Sequence, residues 1–207
     1  MSLKLWEASK KTKKNSELFA FEKFVSIKLN KKFNNNYKRL HDWSVKDPQN
    51  FWNFFWDFTK IKGLKRKKKF KKSKIFYKNT FLPGSKLNFA ENILSKDNEK
   101  KALTFISENG YREIRSWKEL NQNVSKIIKF LREIKIKKKD RIVAYMPNTI
   151  ETVEAFIASS SLGGVWSSCS PDFGTKGLIE RFSQINPKVL FISNEYFYNG
   201  KQSYLLD

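Results

Sequence analysis

Apolar residues recur with two different periods along residues 99–207. Runs at Ala102 to Ser107 and Tyr111 to Arg115 flank Asn109-Gly110, a pattern that predicts a β-hairpin. Further along, three short apolar runs predict strands, and helical spacing lies between them. Strands that alternate with helices in this way predict consecutive βαβ units and a parallel sheet. The strands are expected at 141–146, 165–170 and 189–193, and the helices at about 117–134, 148–162 and 176–185.

Helix starts are predicted from short polar signals. Ser116 followed by Glu119 forms a capping box, in which each residue's side chain accepts a hydrogen bond from the other's backbone N–H. Asn148 with Glu151 is expected to cap the second helix, and Thr175 the third. In parallel sheets, ligands bind beside the carboxyl ends of the strands. The loops of interest are therefore 147–148, 170–174 and 194–201.

Residues 1–98 have a different composition, which is rich in aromatic and basic side chains. Helical spacing predicts helices at 18–29, 44–61 and 87–94, with Pro48 in the first turn of the second. Four phenylalanines of that helix recur at intervals of three and four, which indicates a buried face: Phe51, Phe54, Phe55 and Phe58. The predicted fold class is α/β. A mostly helical region (1–98) precedes a region of strands and helices that forms a parallel sheet (99–207).

The chain carries a formal net charge of +22, from 42 basic and 20 acidic residues. Most of the basic residues are lysines, whereas arginine is the side chain best suited to bidentate phosphate and base contacts. We therefore favour a solvated lysine-rich surface over a nucleic-acid interface. The densest run, Lys65 to Lys74, is expected to be an exposed loop. A basic nucleic-acid-binding module that uses this run remains the alternative from another class.

The residues alone do not assemble a catalytic set. The sequence has no Gly-x-Gly-x-x-Gly motif and no Gly-Lys-Ser/Thr phosphate loop. His41 has no Cys or His nearby and is expected to be structural, and Cys169 is expected to be a small core residue. Asp172 either contacts a ligand or caps the helix that follows. Without an apolar stretch of about 20 residues, we expect no membrane span and a cytoplasmic location.

Several stretches together resemble the adenylate-forming acyl-CoA synthetases, and most closely their acetoacetyl-CoA branch. The most specific is residues 165–174, VWSSCSPDFG. The others, in order, are YKRLHDWSV (37–45), PGSKLNFAENIL (83–94), DRIVAYMPN (140–148), RFSQINPKVLF (181–191) and YFYNGK (196–201).

The resemblance implies an acid–thiol ligase that uses ATP, Mg²⁺ and coenzyme A (CoA), with acetoacetate as the acid. The acid would first be converted to an acyl-adenylate with release of pyrophosphate, and CoA would then displace AMP. Another short-chain acid remains the alternative substrate. The resemblance implies that residues 1–98 are the family's N-terminal extension and that 99–207 are the first, truncated part of its AMP-binding domain. The family's phosphate loop, ribose-binding Asp and adenylation Lys are expected beyond residue 207. These 207 residues alone are therefore expected to be inactive and poorly soluble.

The same resemblance implies where CoA would lie. Asp172, Phe173 and Gly174 fall on a loop that lines the CoA channel in relatives, and Lys201 falls on a basic residue that approaches the nucleotide phosphates. A second basic position of those relatives falls near Tyr198 here, so the phosphate contact is expected to be incomplete. No catalytic residue and no metal ligand is expected within the chain.

Overall fold

The computed structural model describes residues 5–66, 68 and 70–206. Its contacts divide the chain into two compact units, the first ending at Leu87 and the second beginning at Asn88. This contact boundary falls earlier than the predicted domain boundary after residue 98. The short helix after Asn88 therefore belongs to the second unit.

Among the described residues of the first unit are four α-helices, of which the last three pack through aromatic side chains. They are α1 (Lys10–Lys14), α2 (Glu17–Leu29), α3 (Tyr37–Lys46) and α4 (Pro48–Phe58). The ring of Phe21 on α2 packs edge-on against Phe51, Phe55 and Phe58 of α4, with centroids 5.9, 5.9 and 5.2 Å away. The predicted aromatic face of α4 is therefore turned into the core of this unit.

The helix expected over 44–61 is in fact shorter and preceded by another. Ser44 lies in α3, and α4 starts at Pro48, where Asp47 accepts a hydrogen bond from the Asn50 N–H. A residue before proline is disfavoured in helical backbone, so α3 ends there. Pro48 occupies the first turn as predicted, since its missing N–H is not needed at that position.

The second unit holds a parallel three-stranded sheet in the order β4-β3-β5 and two antiparallel hairpins, β1-β2 and β6-β7. The α/β class, the parallel sheet and the first hairpin are confirmed. In chain order the elements are α5 (Phe89–Ile93), β1 (Lys101–Ile106), β2 (Arg112–Ser116), α6 (Trp117–Glu133), β3 (Arg141–Tyr145), α7 (Ile150–Ser161), β4 (Val165–Cys169), α8 (Gly174–Phe182), β5 (Val189–Ile192), β6 (Glu195–Tyr198) and β7 (Lys201–Tyr204).

Helices cover both faces of the parallel sheet. Successive residues of a strand point to opposite faces, and Ile142 and Val143 of β3 accordingly enter different apolar clusters. The Ile142 cluster includes side chains of α6 and α7, whereas the Val143 cluster includes Leu178 and Phe182 of α8. The helix after β3 and the helix after β4 therefore lie on opposite faces.

The predicted helix starts are partly right. Ser116 and Glu119 form the expected capping box at the start of α6. Asn148 does not cap α7; Thr149 stands at that position, because the Thr149 N–H and the Thr152 hydroxyl both donate to the Pro147 carbonyl. Thr175 lies inside α8, because a 3₁₀ turn at Pro171–Phe173 runs directly into this helix.

A partly buried ion-pair network joins β2 to α6 and α7. The Arg115 guanidinium lies 3.1 Å from the Glu154 carboxylate, which also accepts a 3.0 Å hydrogen bond from Asn123. Glu113 and Glu151 contact the same guanidinium at 2.8 and 3.5 Å. Burial lowers the pKa of Arg115, but the three carboxylates outweigh it and the pKa is raised overall. Arg115 therefore stays charged and serves as a structural cross-link.

Candidate functional site

The loops that leave β3 and β4 diverge at the carboxyl edge of the sheet. These two strands are neighbours, yet one leads to α7 on one face and the other to α8 on the opposite face. At such a switch point the loops separate, and ligands of open α/β sheets bind in the crevice between them. Two of the three loops predicted to bind a ligand therefore lie at the switch point, at 146–149 and 170–174.

The second of these loops is fixed at its start by a buried tyrosine. The Tyr145 hydroxyl, at the end of β3, donates a 2.9 Å hydrogen bond to the Pro171 carbonyl. Both residues are buried. Burial raises the pKa of Tyr145 above 10.0, so the hydroxyl remains a donor at neutral pH. The Gly174 N–H donates to the same carbonyl and closes the 3₁₀ turn.

Asp172 and Phe173 follow on the exposed side of that turn. The Ser170 hydroxyl donates to the Asp172 carboxylate at 2.7 Å, so Asp172 does not cap α8. The Phe173 ring is 53% exposed, and the Arg181 guanidinium lies 4.3 Å from its centroid. The loop thus presents a carboxylate, an aromatic ring and a cation side by side.

Gly174 adopts a backbone conformation that other residues avoid. Its φ of 64° and ψ of 171° fall in a region populated almost only by glycine. A Cβ added here would meet no atom within 4 Å, so the backbone, and not crowding, requires glycine. Glycine adopts this conformation without strain, whereas a residue with a side chain would be strained here, so the shape of the turn depends on Gly174.

Lys201 lies on a hairpin, where a loop was expected over 194–201. The hairpin β6-β7 turns at Asn199-Gly200, both with positive φ. The signal was present, because the same dipeptide predicted the first hairpin. The Gly200 N–H donates to the Glu108 carboxylate at 3.2 Å, which ties the turn to the β1-β2 connection.

Three of the four predicted site residues are consecutive in the sequence, and the fourth lies on a separate hairpin. Asp172, Phe173 and Gly174 are contiguous at the switch point, while Lys201 is exposed at the start of β7. Within the described residues, no hydrogen bond or ion pair joins Lys201 to the 170–174 loop. A cavity of about 330 Å³ lies beside Pro147 and Thr149, and Tyr196 and Phe197 of β6 contribute to its wall.

Other candidate groups keep structural roles. Cys169 is buried with Val143 and Phe182, as expected of a core residue. His41 is more than half exposed, and its closest carboxylate is Asp42, at 3.9 Å. Of the Lys65 to Lys74 run, residues 67 and 69 lie outside the described part, and the rest form neither helix nor extended strand.

No metal or membrane site emerges from the described residues. In that part of the chain, no three His, Cys, Asp or Glu side chains are grouped closely enough to hold a metal ion. We therefore assign none of its residues to Mg²⁺. Nor does any helix among residues 5–66 or 70–206 combine the length and apolarity needed to cross a membrane.

Comparison with known proteins identifies the family. Residues 90–204 match the family model described as AMP-binding enzyme, which is more than half of the 207 residues. The chain therefore belongs to the AMP-binding enzyme family. Within it, the chain is similar to acetoacetyl-coenzyme A synthetase of Rhizobium meliloti (strain 1021), with 36% identity over 198 residues.

The chain is also similar to two further proteins, one of them a solved structure. A malonamoyl-CoA synthetase of Penicillium aethiopicum is 31% identical over 211 residues, covering 95% of this chain and 28% of its own length. The solved structure of acetoacetyl-CoA synthetase from Streptomyces lividans has a TM-score of 0.87 and 27% identity, covering 98% of this chain and 32% of its own. The Rhizobium match covers 96% of this chain and 30% of the relative, so the chain spans about 30% of the curated relatives' length.

Proposed function

We propose that this chain is the N-terminal part of an ATP-dependent acetoacetate–CoA ligase. The observation that carries the proposal is the 36% identity to the Rhizobium acetoacetyl-coenzyme A synthetase along 96% of the chain. The similarity runs through both units rather than through the sheet alone. A protein that shared only the α/β fold with these ligases would not be expected to resemble their sequence in the N-terminal helices as well.

The proposed reaction has two steps. The acetoacetate carboxylate attacks the α-phosphate of ATP, and the bond to the β-phosphate breaks to release pyrophosphate. The thiol of CoA then loses its proton and attacks the acyl carbon of the adenylate, with AMP as the leaving group. Both steps depend on holding the reactants in line and on balancing phosphate charge. When bound, Mg²⁺ would supply part of that charge.

In this proposal the described residues help to bind CoA and take no part in forming the acyl-adenylate. Asp172, Phe173 and Gly174 form one wall of the CoA path at the switch point, where the Phe173 ring is open to solvent. The missing Cβ of Gly174 leaves the backbone accessible to a ligand. Lys201 offers its ammonium group to the nucleotide phosphates of CoA.

The test uses the protein expressed from the complete reading frame that contains this sequence. Acid-dependent exchange of labelled pyrophosphate into ATP reports the first step, and CoA-dependent release of AMP reports the whole reaction. We expect acetoacetate to support both at least tenfold better than acetate, a difference of about 1.4 kcal/mol in transition-state binding.

Malonamate is the informative competitor, because one relative is named for that acid. Faster exchange with malonamate or acetate than with acetoacetate would assign the protein to another acid of the same reaction class. Absence of exchange with all three acids would contradict the ligase proposal itself. Tight, strongly salt-dependent binding to DNA or RNA is the result that the alternative nucleic-acid-binding module would give instead.

A further inference from the structure

The two loops at the switch point are each held by a hydroxyl that donates to a proline carbonyl. In the loop after β3, the Thr152 hydroxyl donates to the Pro147 carbonyl at 2.7 Å. In the loop after β4, the Tyr145 hydroxyl donates to the Pro171 carbonyl at 2.9 Å. The first contact is local, between a loop and its own helix. The second spans 26 residues and joins the end of β3 to the turn that follows β4.

The Pro171 carbonyl accepts the hydrogen bonds that orient the 170–174 loop. It accepts from the Tyr145 hydroxyl and from the Gly174 N–H, which uses both of its lone pairs. The Gly174 bond closes the turn that carries Asp172 and Phe173, and Gly174 itself has the positive-φ backbone that favours glycine. The direction of this one carbonyl therefore sets where the exposed loop residues lie.

Tyr145 is well suited to hold that carbonyl. Its ring is buried against Val143, Cys169 and Phe182, so the hydroxyl cannot swing away. A buried hydrogen bond in a low-dielectric surrounding resists exchange with water. The ring is also retained in phenylalanine, so the hydroxyl can be removed alone.

We infer that Tyr145 is a positioning residue for CoA: its hydroxyl holds the 170–174 loop in the geometry that receives this substrate. The inference rests on the proposed function, since it names CoA as the ligand of the loop. It assigns Tyr145 no contact with the reacting atoms. Its effect is transmitted through the Pro171 carbonyl alone.

The test compares wild-type protein from the complete reading frame with Tyr145→Phe. The dissociation constant of CoA is measured by calorimetry, and the KM values for CoA, ATP and acid are measured by AMP release. We expect the dissociation constant and the KM for CoA to rise on the order of tenfold, which corresponds to ~1.4 kcal/mol. Acid-dependent pyrophosphate exchange, which needs no CoA, should keep its wild-type rate.

Ser159→Ala is the matched control. The Ser159 hydroxyl is also buried and donates at 2.7 Å to a backbone carbonyl, that of Ala155. It lies in the last turns of α7, beside Gly164 at the amino edge of the sheet. This variant removes a buried hydroxyl away from the 170–174 loop and should leave the affinity for CoA unchanged.

The possible results test the inference about Tyr145 and the proposed ligase function separately. Unchanged CoA affinity in Tyr145→Phe would overturn the inference, even if wild-type protein is an active ligase. Loss of pyrophosphate exchange, a parallel rise in all three KM values, or insoluble protein would also overturn it, because the hydroxyl would then serve the fold. Wild-type protein that binds CoA but shows no exchange would contradict the ligase proposal and leave the binding comparison intact.

Discussion

At the scale of single residues, the fold fixes where Lys201 lies but does not pair its charge. Its position is set by the Asn199-Gly200 turn and by the bond from the Gly200 N–H to Glu108. Its side chain is exposed, and within residues 5–66, 68 and 70–206 no carboxylate pairs with it. The charge of Lys201 is therefore not used by the local fold, and its role toward CoA stays a prediction.

Lys201→Gln should weaken CoA binding without disturbing the fold. An exposed ammonium group that meets a phosphate contributes on the order of 1 kcal/mol, so the KM for CoA should rise about fivefold. With pantetheine, which lacks the nucleotide phosphates, the same substitution should have no effect. Lys129→Gln, on the exposed side of α6, removes an equal charge elsewhere and serves as the control. An equal loss with CoA and pantetheine would exclude a phosphate contact.

At the scale of secondary-structure elements, local signals predicted the fold well and the site less well. The hairpin at Asn109-Gly110 and the capping box of Ser116 are decided by neighbours in sequence, and both are confirmed. The start of α7 depends on the Pro147 carbonyl, so the cap expected at Asn148 was wrong. The bond from Tyr145 to Pro171 depends on strand pairing across 26 residues, which no local pattern encodes.

The Arg115–Glu154 pair should behave as a buried cross-link between β2 and α7. Their side chains are only 17% and 5% exposed, so Arg115→Gln leaves a buried carboxylate without its partner. We expect the free energy of unfolding to fall by about 3 kcal/mol in urea titration. The double variant Arg115→Met with Glu154→Met should recover most of that loss.

An exposed ion pair provides the comparison. Lys118 and Glu99 lie 2.8 Å apart with side chains 54% and 71% exposed. Lys118→Gln should therefore change the free energy of unfolding by less than about 0.5 kcal/mol. Equal losses in Lys118→Gln and Arg115→Gln would argue against burial as the cause.

At the scale of the whole molecule, the parallel sheet is narrow. Among the described strands, β4 and β5 each pair only with β3, so each has one unpaired edge. Large apolar side chains are also open to solvent on these strands, Val165 at 49% and Leu190 at 46%. Unpaired edges and exposed apolar surface are the usual causes of intermolecular strand pairing.

Expressed as these 207 residues alone, the chain should aggregate. We expect most of it in the pellet after centrifugation, whereas the product of the complete reading frame should remain in the supernatant. The physical reason is the edge pairing of β4 and β5 between chains. A soluble monomer with a single cooperative unfolding transition would show that the narrow sheet is sufficient by itself.

The order of the strands in the chain has a consequence for synthesis on the ribosome. The central strand β3 is made first, and β4 and β5 follow it in turn. The Tyr145 hydroxyl is therefore already present when Pro171 emerges 26 residues later. The donor of this hydrogen bond is thus synthesised before its acceptor, and β4, which ends just before Pro171, pairs directly with the strand that carries Tyr145.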